Sequence, residues 1–180
     1  MDLCEKMEDF GDFKVIRNVI SDEEIQSLMN FWNSFDSFID VDKNLWNNKL
    51  PSITRIRASN RIVDIVGIQK NDLPFVTNIF TECFSCVISE FVLEFPHYFA
   101  RYPLSGKHTK HKDFNPSFPR EWLMSLILND NFESGDLIIN GKIAPKEKGM
   151  AILFKSDLFH EVTPTSFGER FVVTECADKI

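Results

Sequence analysis

Three of the four histidines lie between residues 108 and 160, and two of them are candidate metal ligands. His111 and Asp113 are two residues apart, a spacing that places both side chains on one face of a β-strand. His160 lies in a second short segment, Leu158-Phe159-His160-Glu161-Val162, which also predicts a strand. Two imidazoles and a carboxylate from two strands can occupy one face of an octahedral metal and leave the other open. That donor set is typical of non-haem Fe(II) chemistry.

A cationic side chain follows this histidine along the chain. Arg170 lies ten residues beyond His160, after the turn residues Pro164 and Gly168. A hairpin there would return the chain to the same cavity on a neighbouring strand. Burying a guanidinium costs free energy unless it meets an anion, and its planar fork suits a carboxylate. The residues therefore predict a redox metal beside a co-substrate that carries a carboxylate.

The elements that must position these side chains change along the chain. Residues 21–38 predict an amphipathic helix that begins at a capping box formed by Ser21 and Glu24. A second helix begins near Pro74 and carries an apolar stripe that extends to Phe91. Ile53–Arg57 predicts an early strand, and Asp42 to Ser52 predicts a loop. From Pro96 onward, short apolar runs between glycine and proline turns predict further strands, at Tyr98–Tyr102, Trp122–Leu128, Asp136–Ile139, Ala151–Phe154 and Phe171–Thr174.

Helices followed by many short strands predict an α+β fold that is mainly β. We expect a double-stranded β-helix, or jelly-roll, barrel with N-terminal helices packed on one face. We expect one domain over 1–180, with helical support over 1–95 and the metal-binding barrel core over 96–176.

Composition excludes several classes of protein. The 43% hydrophobic content is incompatible with intrinsic disorder, and the net charge of −7 argues against a nucleic-acid partner. No apolar run approaches the roughly 20 residues that span a bilayer, and we find no secretion signal, so we expect no membrane partner and a cytoplasmic location. Cys83 and Cys86 fall on or beside the apolar helix stripe. We expect both to be reduced and free of metal.

The stretch from Tyr102 to Thr174 resembles the Fe(II)- and 2-oxoglutarate-dependent oxygenases, and among them the prolyl 4-hydroxylase-like family. One position departs from the family pattern, because Ile127 stands where a tyrosine often contacts the co-substrate. The matching pieces agree in order and spacing: Tyr102-Pro-Leu-Ser-Gly106, His111-Lys-Asp113, Leu128-Asn129, Phe132-Glu-Ser-Gly135-Asp136-Leu137, Gly149-Met-Ala-Ile-Leu-Phe154-Lys-Ser156, His160-Glu-Val-Thr-Pro164 and Gly168-Glu-Arg170.

This resemblance implies a dioxygenase that uses Fe(II), 2-oxoglutarate and O2, with ascorbate as a further cofactor. It implies that the metal ligands are His111, Asp113 and His160. It also implies that Arg170 binds the distal carboxylate of 2-oxoglutarate, and that Tyr102 and Thr174 line the co-substrate pocket. Arg120 matches an arginine that touches peptide substrate in the oxygen-sensing prolyl hydroxylases. The implied reaction is hydroxylation of a polypeptide at proline, with succinate and CO2 as co-products.

Three other functions remain open at this point. One is the same chemistry on a small molecule or a non-prolyl residue, and another is a non-catalytic metal-binding barrel that acts as an interaction module. A zinc hydrolase using His108, His111 and His160 is a weaker alternative, because it leaves Arg170 and Asp113 without a role.

The remaining histidines and arginines have ordinary structural interpretations. His108 is three residues before His111, so we expect it to face the opposite side of the strand. We expect His97 to be a surface histidine. The basic cluster Arg55, Arg57 and Arg61 is interpreted as a solvated strand face, with a lip of the substrate groove as the alternative.

Overall fold

The computed structural model describes residues 3–36, 38–40, 53–93, 95–114 and 120–180. The predicted loop from Asp42 to Ser52 lies outside the described residues. The described part contains a 3-10 turn (Cys4–Lys6), the helices α1 (Asp22–Asn33) and α2 (Pro74–Ser85), and sixteen strands. The strands are β1 (Glu8–Asp9), β2 (Phe13–Ile16), β3 (Phe38–Asp40), β4 (Ile53–Ala58), β5 (Arg61–Ile68), β6 (Phe91–Leu93), β7 (His97–Tyr102), β8 (Lys107–His111), β9 (Arg120–Ile127), β10 (Glu133–Ser134), β11 (Leu137–Ile139), β12 (Lys142–Ile143), β13 (Ala151–Lys155), β14 (His160–Val162), β15 (Thr165–Phe167) and β16 (Arg170–Lys179).

Both predicted helices form, and their ends follow from local sequence. The Ser21 hydroxyl accepts from the backbone N–H of Glu24, and the Glu24 carboxylate accepts from the backbone N–H of Ser21, which is the predicted capping box. Pro74 occupies the first turn of α2, where its missing N–H costs nothing. α2 ends at Ser85, so the prediction that its stripe continues to Phe91 is wrong, because Phe91 begins β6.

One large sheet carries most of the strands, in the order β1-β2-β13-β9-β16-β7-β5-β8-β14-β11-β12. β8 and β14 are separated in this order from β9 and β16, yet all four strands line one cavity. The sheet must therefore curl on itself, and this confirms the expected mainly β jelly-roll barrel. Residues 1–95 contribute more than helical support, because β2, β4 and β5 are part of the same sheet.

Two apolar cores lie on opposite faces of this sheet. In β13 the buried residues alternate, so that Leu153 joins the core beneath the helices and Ile152 joins the core inside the barrel. Trp32 of α1 and Phe80 of α2 belong to the helix-side core. This arrangement confirms that the helices pack on one face of the sheet.

His97 does not lie on the surface as expected, because it is fully buried between α2 and the sheet. Its Nε2 is 3.0 Å from the Thr77 hydroxyl, and its Nδ1 contacts the Glu175 carboxylate. A buried imidazole needs hydrogen-bond partners for its ring nitrogens, and these two residues supply them. The three residues therefore connect α2 to β7 and β16.

The basic cluster of the first half is divided between the two faces of the sheet. The Asp64 carboxylate is fully buried and pairs with Arg57 at 2.7 Å and Arg101 at 2.5 Å, with Arg55 at 3.8 Å. These residues lie on the face of β5 opposite the barrel interior. Arg61 instead lines the cavity inside the barrel. Arg55 and Arg57 therefore lie on the strand face away from the cavity, and a substrate contact of Arg61 stays a prediction.

The cysteine prediction needs a correction. Cys86 caps the C-terminus of α2 and forms a disulfide with Cys4, so it is not reduced. Cys83 is a free, fully buried thiol in the helix-side core, as expected. The two cysteines differ because Cys83 lies on the buried stripe, whereas Cys86 is at the helix end, where the N-terminal turn approaches.

No described helix is both long and apolar enough to cross a membrane.

We predict that Phe80→Ala lowers the free energy of unfolding by about 3–5 kcal/mol, because it leaves a cavity between α2 and the sheet. Phe80 is fully buried, and its ring lies 5.0 Å from that of His97. Urea unfolding measures the effect. Phe167→Ala is the matched control, because this ring is 64% exposed and its loss should change stability by no more than about 0.5 kcal/mol. Equal losses for both variants would contradict the position of this core.

Candidate metal and co-substrate site

Pairing of β8 with β14 brings the candidate ligands together, because His111 and His160 are direct partners in the register. One ligand atom each of His111, Asp113 and His160 lies within 4.8 Å of the others. Asp113 Oδ1 is 3.6 Å from His111 Nε2, and its Oδ2 is 3.6 Å from His160 Nε2. The three predicted residues therefore surround one point, at distances that leave room for an ion between them.

Backbone carbonyls fix which ring nitrogen of each histidine is available. His111 Nδ1 is 2.7 Å from the carbonyl oxygen of Thr109, and His160 Nδ1 is 3.2 Å from that of Leu158. A carbonyl oxygen can only accept, so each Nδ1 carries the proton and donates it. Each Nε2 then keeps a free lone pair that faces Asp113. Metal-binding histidines are commonly oriented in this way.

The local electrostatics favour the protonation state that a metal requires. Burial, together with the neighbouring His160, lowers the pKa of His111. Burial alone would raise the pKa of Asp113, but interactions with His160 and His111 outweigh it and hold that pKa below its usual value. A neutral imidazole and an ionised carboxylate are the metal-binding forms. Both shifts favour the protonation states in which His111 and Asp113 can bind a cation.

His108 lies in the same cavity, and the prediction that it faces away from His111 is wrong. Its register partner is Val162, so four residues of β8, from His108 to His111, lie opposite three residues of β14, from His160 to Val162. The extra residue forms a β-bulge, which turns His108 to the side of His111. Their ring centroids are 3.8 Å apart, and burial, with the charges of Arg61 and His111, lowers the pKa of His108 to about 3.

Arg170 is the first residue of β16 and faces the barrel interior. It pairs in register with Tyr102, and its guanidinium lies 5.1 Å from the centre of the Tyr102 ring. Arg170 is only 2% exposed, and burial lowers its pKa. Within the described ranges no carboxylate forms an ion pair with it. A hydrogen bond with Tyr102 and the charge of Asp136 offset only part of the effect of burial on the pKa. The guanidinium is therefore suited to pair with an anionic ligand.

Two neighbouring residues fix the backbone around Arg170. The Asn129 side chain donates to the Glu169 carbonyl at 2.7 Å and accepts from the Phe171 N–H at 2.8 Å. It therefore holds the backbone on both sides of Arg170. Gly168 precedes them at φ +68°, and a Cβ there would come within 2.7 Å of the Asn131 carbonyl oxygen. Both residues position the arginine without contacting the cavity.

The metal-ligand candidates and Arg170 line one cavity of about 410 Å³, which also includes Tyr102, Thr174 and Arg120. The Thr174 hydroxyl donates to the Tyr98 carbonyl at 3.5 Å. Sequence analysis missed two further residues of the wall that contains Thr174. Ser125 and Cys176 belong to no motif, so only strand pairing reveals them: Ser125 is opposite Thr174 in the register, and Cys176 is the next inward residue of β16.

The comparisons with known proteins identify this barrel. Residues 97–175 match the sequence profile of the 2OG-Fe(II) oxygenase superfamily, which spans β7 to β16 and includes every candidate ligand. The matched segment belongs to the 2OG-Fe(II) oxygenase superfamily. Membership of this superfamily implies Fe(II) and 2-oxoglutarate, and it agrees with the donor set and with the buried arginine. No curated protein sequence matches the chain significantly.

Solved structures share the fold of this chain at low sequence identity. A Pseudomonas putida prolyl-4-hydroxylase superposes with a TM-score of 0.71 at 17% identity, over 94% of this chain and 93% of that one. A Trichoplax adhaerens prolyl hydroxylase in complex with a hypoxia inducible factor peptide fragment gives 0.70 at 18%, over 94% and 84%. The viral collagen prolyl hydroxylase of Paramecium Bursaria Chlorella virus-1, a 2OG complex, gives 0.69 at 14%, over 96% and 98%.

We predict that the protein binds one Mn(II), used as a stable probe for Fe(II), and that Asp113→Ala weakens this binding more than roughly 100-fold. Removing a residue that only hydrogen-bonds to a metal ligand already lowers metal affinity about 10–100-fold. Asp113 is itself a candidate ligand and faces both imidazoles directly. Titration followed by electron paramagnetic resonance measures free Mn(II). His108→Ala is the matched control, because His108 borders the cavity outside the ligand cluster and its loss should have a much smaller effect. Unchanged binding in Asp113→Ala would place the metal elsewhere.

Proposed function

We propose that the protein is an Fe(II)- and 2-oxoglutarate-dependent dioxygenase that hydroxylates a polypeptide, with prolyl residues as the target. In this proposal His111, Asp113 and His160 hold Fe(II), and Arg170 binds the distal carboxylate of 2-oxoglutarate. Tyr102 and Thr174 line the co-substrate pocket, and Arg120 contacts the substrate at the cavity. Succinate and CO2 are the co-products.

The observation that carries this proposal is the shared cavity of a candidate metal cluster and a buried arginine. A metal cluster alone is compatible with several reactions, including zinc hydrolysis. A buried cation in the same cavity adds a requirement for an anionic ligand that reaches both. 2-Oxoglutarate is a diacid, so one carboxylate can approach the metal while the other meets the guanidinium. Zinc hydrolysis would leave the burial of Arg170 unexplained.

Bound Fe(II) would supply the oxidising chemistry, and the chain would supply charge, orientation and a dry pocket. Tyr102 covers one side of the guanidinium. The Asn129 hydrogen bonds keep the start of β16 in place, so Arg170 presents its fork in a fixed direction. Ile127 is fully buried in the barrel core and offers no hydroxyl. Co-substrate affinity should therefore depend more strongly on Arg170 than in a pocket where a tyrosine occupies this position.

The substrate class rests on the neighbours and on the cavity together. Prolyl hydroxylases are prominent among the similar structures, and one of them was solved with a peptide. Arg120 lies at the start of β9, on the cavity, and its carbonyl accepts from the Ser156 hydroxyl at 2.6 Å. The Ser156 carbonyl in turn accepts from the backbone N–H of Asp113. Arg120 is thus linked by two hydrogen bonds to a metal-ligand candidate, which suits a residue that positions the substrate near the metal.

A library of proline-containing peptides tests the substrate class. With Fe(II), 2-oxoglutarate and O2, we expect succinate formation that rises with a suitable peptide and a mass increase of one oxygen atom at proline. A matched library with alanine in place of proline should give only the basal succinate. Stimulation by small molecules and not by peptides would support the alternative substrate class. No succinate from protein with bound metal would support a non-catalytic barrel.

We predict that Arg170→Ala weakens 2-oxoglutarate binding by roughly thirty- to several-thousand-fold. Truncating one partner of a buried charge pair costs about 2–5 kcal/mol, at about 1.4 kcal/mol for each tenfold change. Arg170→Lys should restore part of the affinity, because an ammonium supplies the charge without the fork. Calorimetric titration of the Mn(II)-loaded protein measures both.

Arg55→Ala is the control for charge, because Arg55 lies near Asp64 on the outer face of the sheet. It should leave both co-substrate and metal affinity unchanged. If Arg170→Ala kept normal co-substrate affinity and lost peptide binding, the arginine would belong to the substrate groove.

A further inference from the structure

A disulfide holds the N-terminal turn against the end of α2, far along the sequence. Cys4 begins the 3-10 turn, Cys86 caps α2, and 82 positions separate them. Both residues are half-buried. Leu3 and Met7, on either side of the turn, pack against the helix-side core. The disulfide therefore fastens this short segment to the end of α2, and its half-buried position allows a small thiol to approach it.

A second thiol lies one helical turn from this disulfide but is not suited to react with it. Cys83 precedes Cys86 by three residues, the spacing of dithiol exchange motifs. However, Cys83 is fully buried, and burial, with the charge of Glu82, raises its pKa to about 12. Only roughly one molecule in 100,000 would then carry the thiolate at pH 7, and the thiolate is the attacking species. The geometry therefore pairs Cys86 with Cys4 and excludes Cys83.

We propose that Cys4 and Cys86 form a reversible oxidation site that controls the attachment of the N-terminal turn to α2. In the oxidising direction, the two thiols and one low-molecular-weight disulfide, such as oxidised glutathione, give the protein disulfide and two small thiols. One S–S bond forms as another breaks, and both protons pass to the small thiols. Reduction reverses the exchange and releases the turn.

The effect of reduction should remain local, because other contacts hold the neighbouring elements. Thr77 and His97 hold the first half of α2 against Glu175 without the disulfide. The pairing of β2 with β13 anchors the chain from Phe13 onward. Reduction should therefore loosen residues 3–7 and the end of α2, and leave the cavity unchanged. The proposal is independent of the proposed function.

The first test maps the disulfide under native conditions. Air-oxidised protein is treated with N-ethylmaleimide, digested and analysed by mass spectrometry, before and after exposure to dithiothreitol. We expect a crosslinked Cys4–Cys86 peptide before reduction, new labels on both cysteines after it, and no label on Cys83 in either state. Restoring oxidised glutathione should regenerate the same crosslink. A Cys83–Cys86 crosslink, or free Cys4 and Cys86 in the oxidised sample, would overturn the proposal.

The second test measures the consequence of the disulfide for the fold. Loss of a native disulfide that closes a long loop should lower the Tm by roughly 4–20 °C in a chain of this size. Dithiothreitol should produce this shift in the native protein and in Cys83→Ser. Cys4→Ser and Cys86→Ser should show the lower Tm from the start and no response to the reductant. Limited proteolysis should then cut near residues 3–7 only in the reduced forms.

The affinities of Cys4→Ser for metal and for 2-oxoglutarate show whether the disulfide acts independently of the cavity. Both affinities should equal those of the unmodified protein in either redox state. A reductant-dependent Tm in Cys4→Ser, or equal Tm values for all forms, would show that the pair does not fasten the turn.

Discussion

The burial of Arg170 is the constraint on which the architecture of the cavity depends. A guanidinium that is 2% exposed, with no ion pair among the described residues, is expensive unless a ligand supplies the anion. The surrounding structure keeps the side chain in the barrel in spite of this cost. Asn129 holds the backbone on both sides of it, Gly168 allows the tight approach before it, and Tyr102 covers its face. Together these residues keep the guanidinium at the cavity.

The positions of the metal-ligand candidates are set by the pairing of β8 with β14. Direct pairing of His111 with His160 would be sufficient to bring two imidazoles together, and Asp113 follows at the end of β8. The bulge in β8 then adds His108, whose ring stacks against that of His111. The same two strands thus supply the cluster and a further imidazole beside it. Carbonyl oxygens of Thr109 and Leu158 set the tautomers, so the backbone determines which nitrogen faces the cluster.

Sequence reasoning predicted the parts of this structure that follow from local periodicity or from motif spacing. The capping box at Ser21, the start of α2 at Pro74 and the placement of His111, Asp113, His160 and Arg170 around one cavity agree with the structure. The errors share a cause, because each depends on contacts between distant segments. His97 is buried because Glu175 and Thr77 meet it across 78 and 20 positions. Cys86 is oxidised because Cys4 reaches it, and His108 turns inward because of a bulge that the alternation rule does not include.

The two faces of the sheet each bury a charged side chain, but only one of these charges is paired with an opposite charge within the described chain. On the outer face, Asp64 is fully buried, but Arg57 and Arg101 neutralise it from the neighbouring strands. On the inner face, Arg170 has a comparable burial and no such partner in the described chain. Charge pairs that serve only stability are completed within the protein, since an unpaired buried charge lowers stability. The pair at Asp64 is complete within the described chain, whereas the guanidinium of Arg170 has no carboxylate in ion-pair contact there, and this difference supports the proposal that Arg170 meets the anion of a ligand.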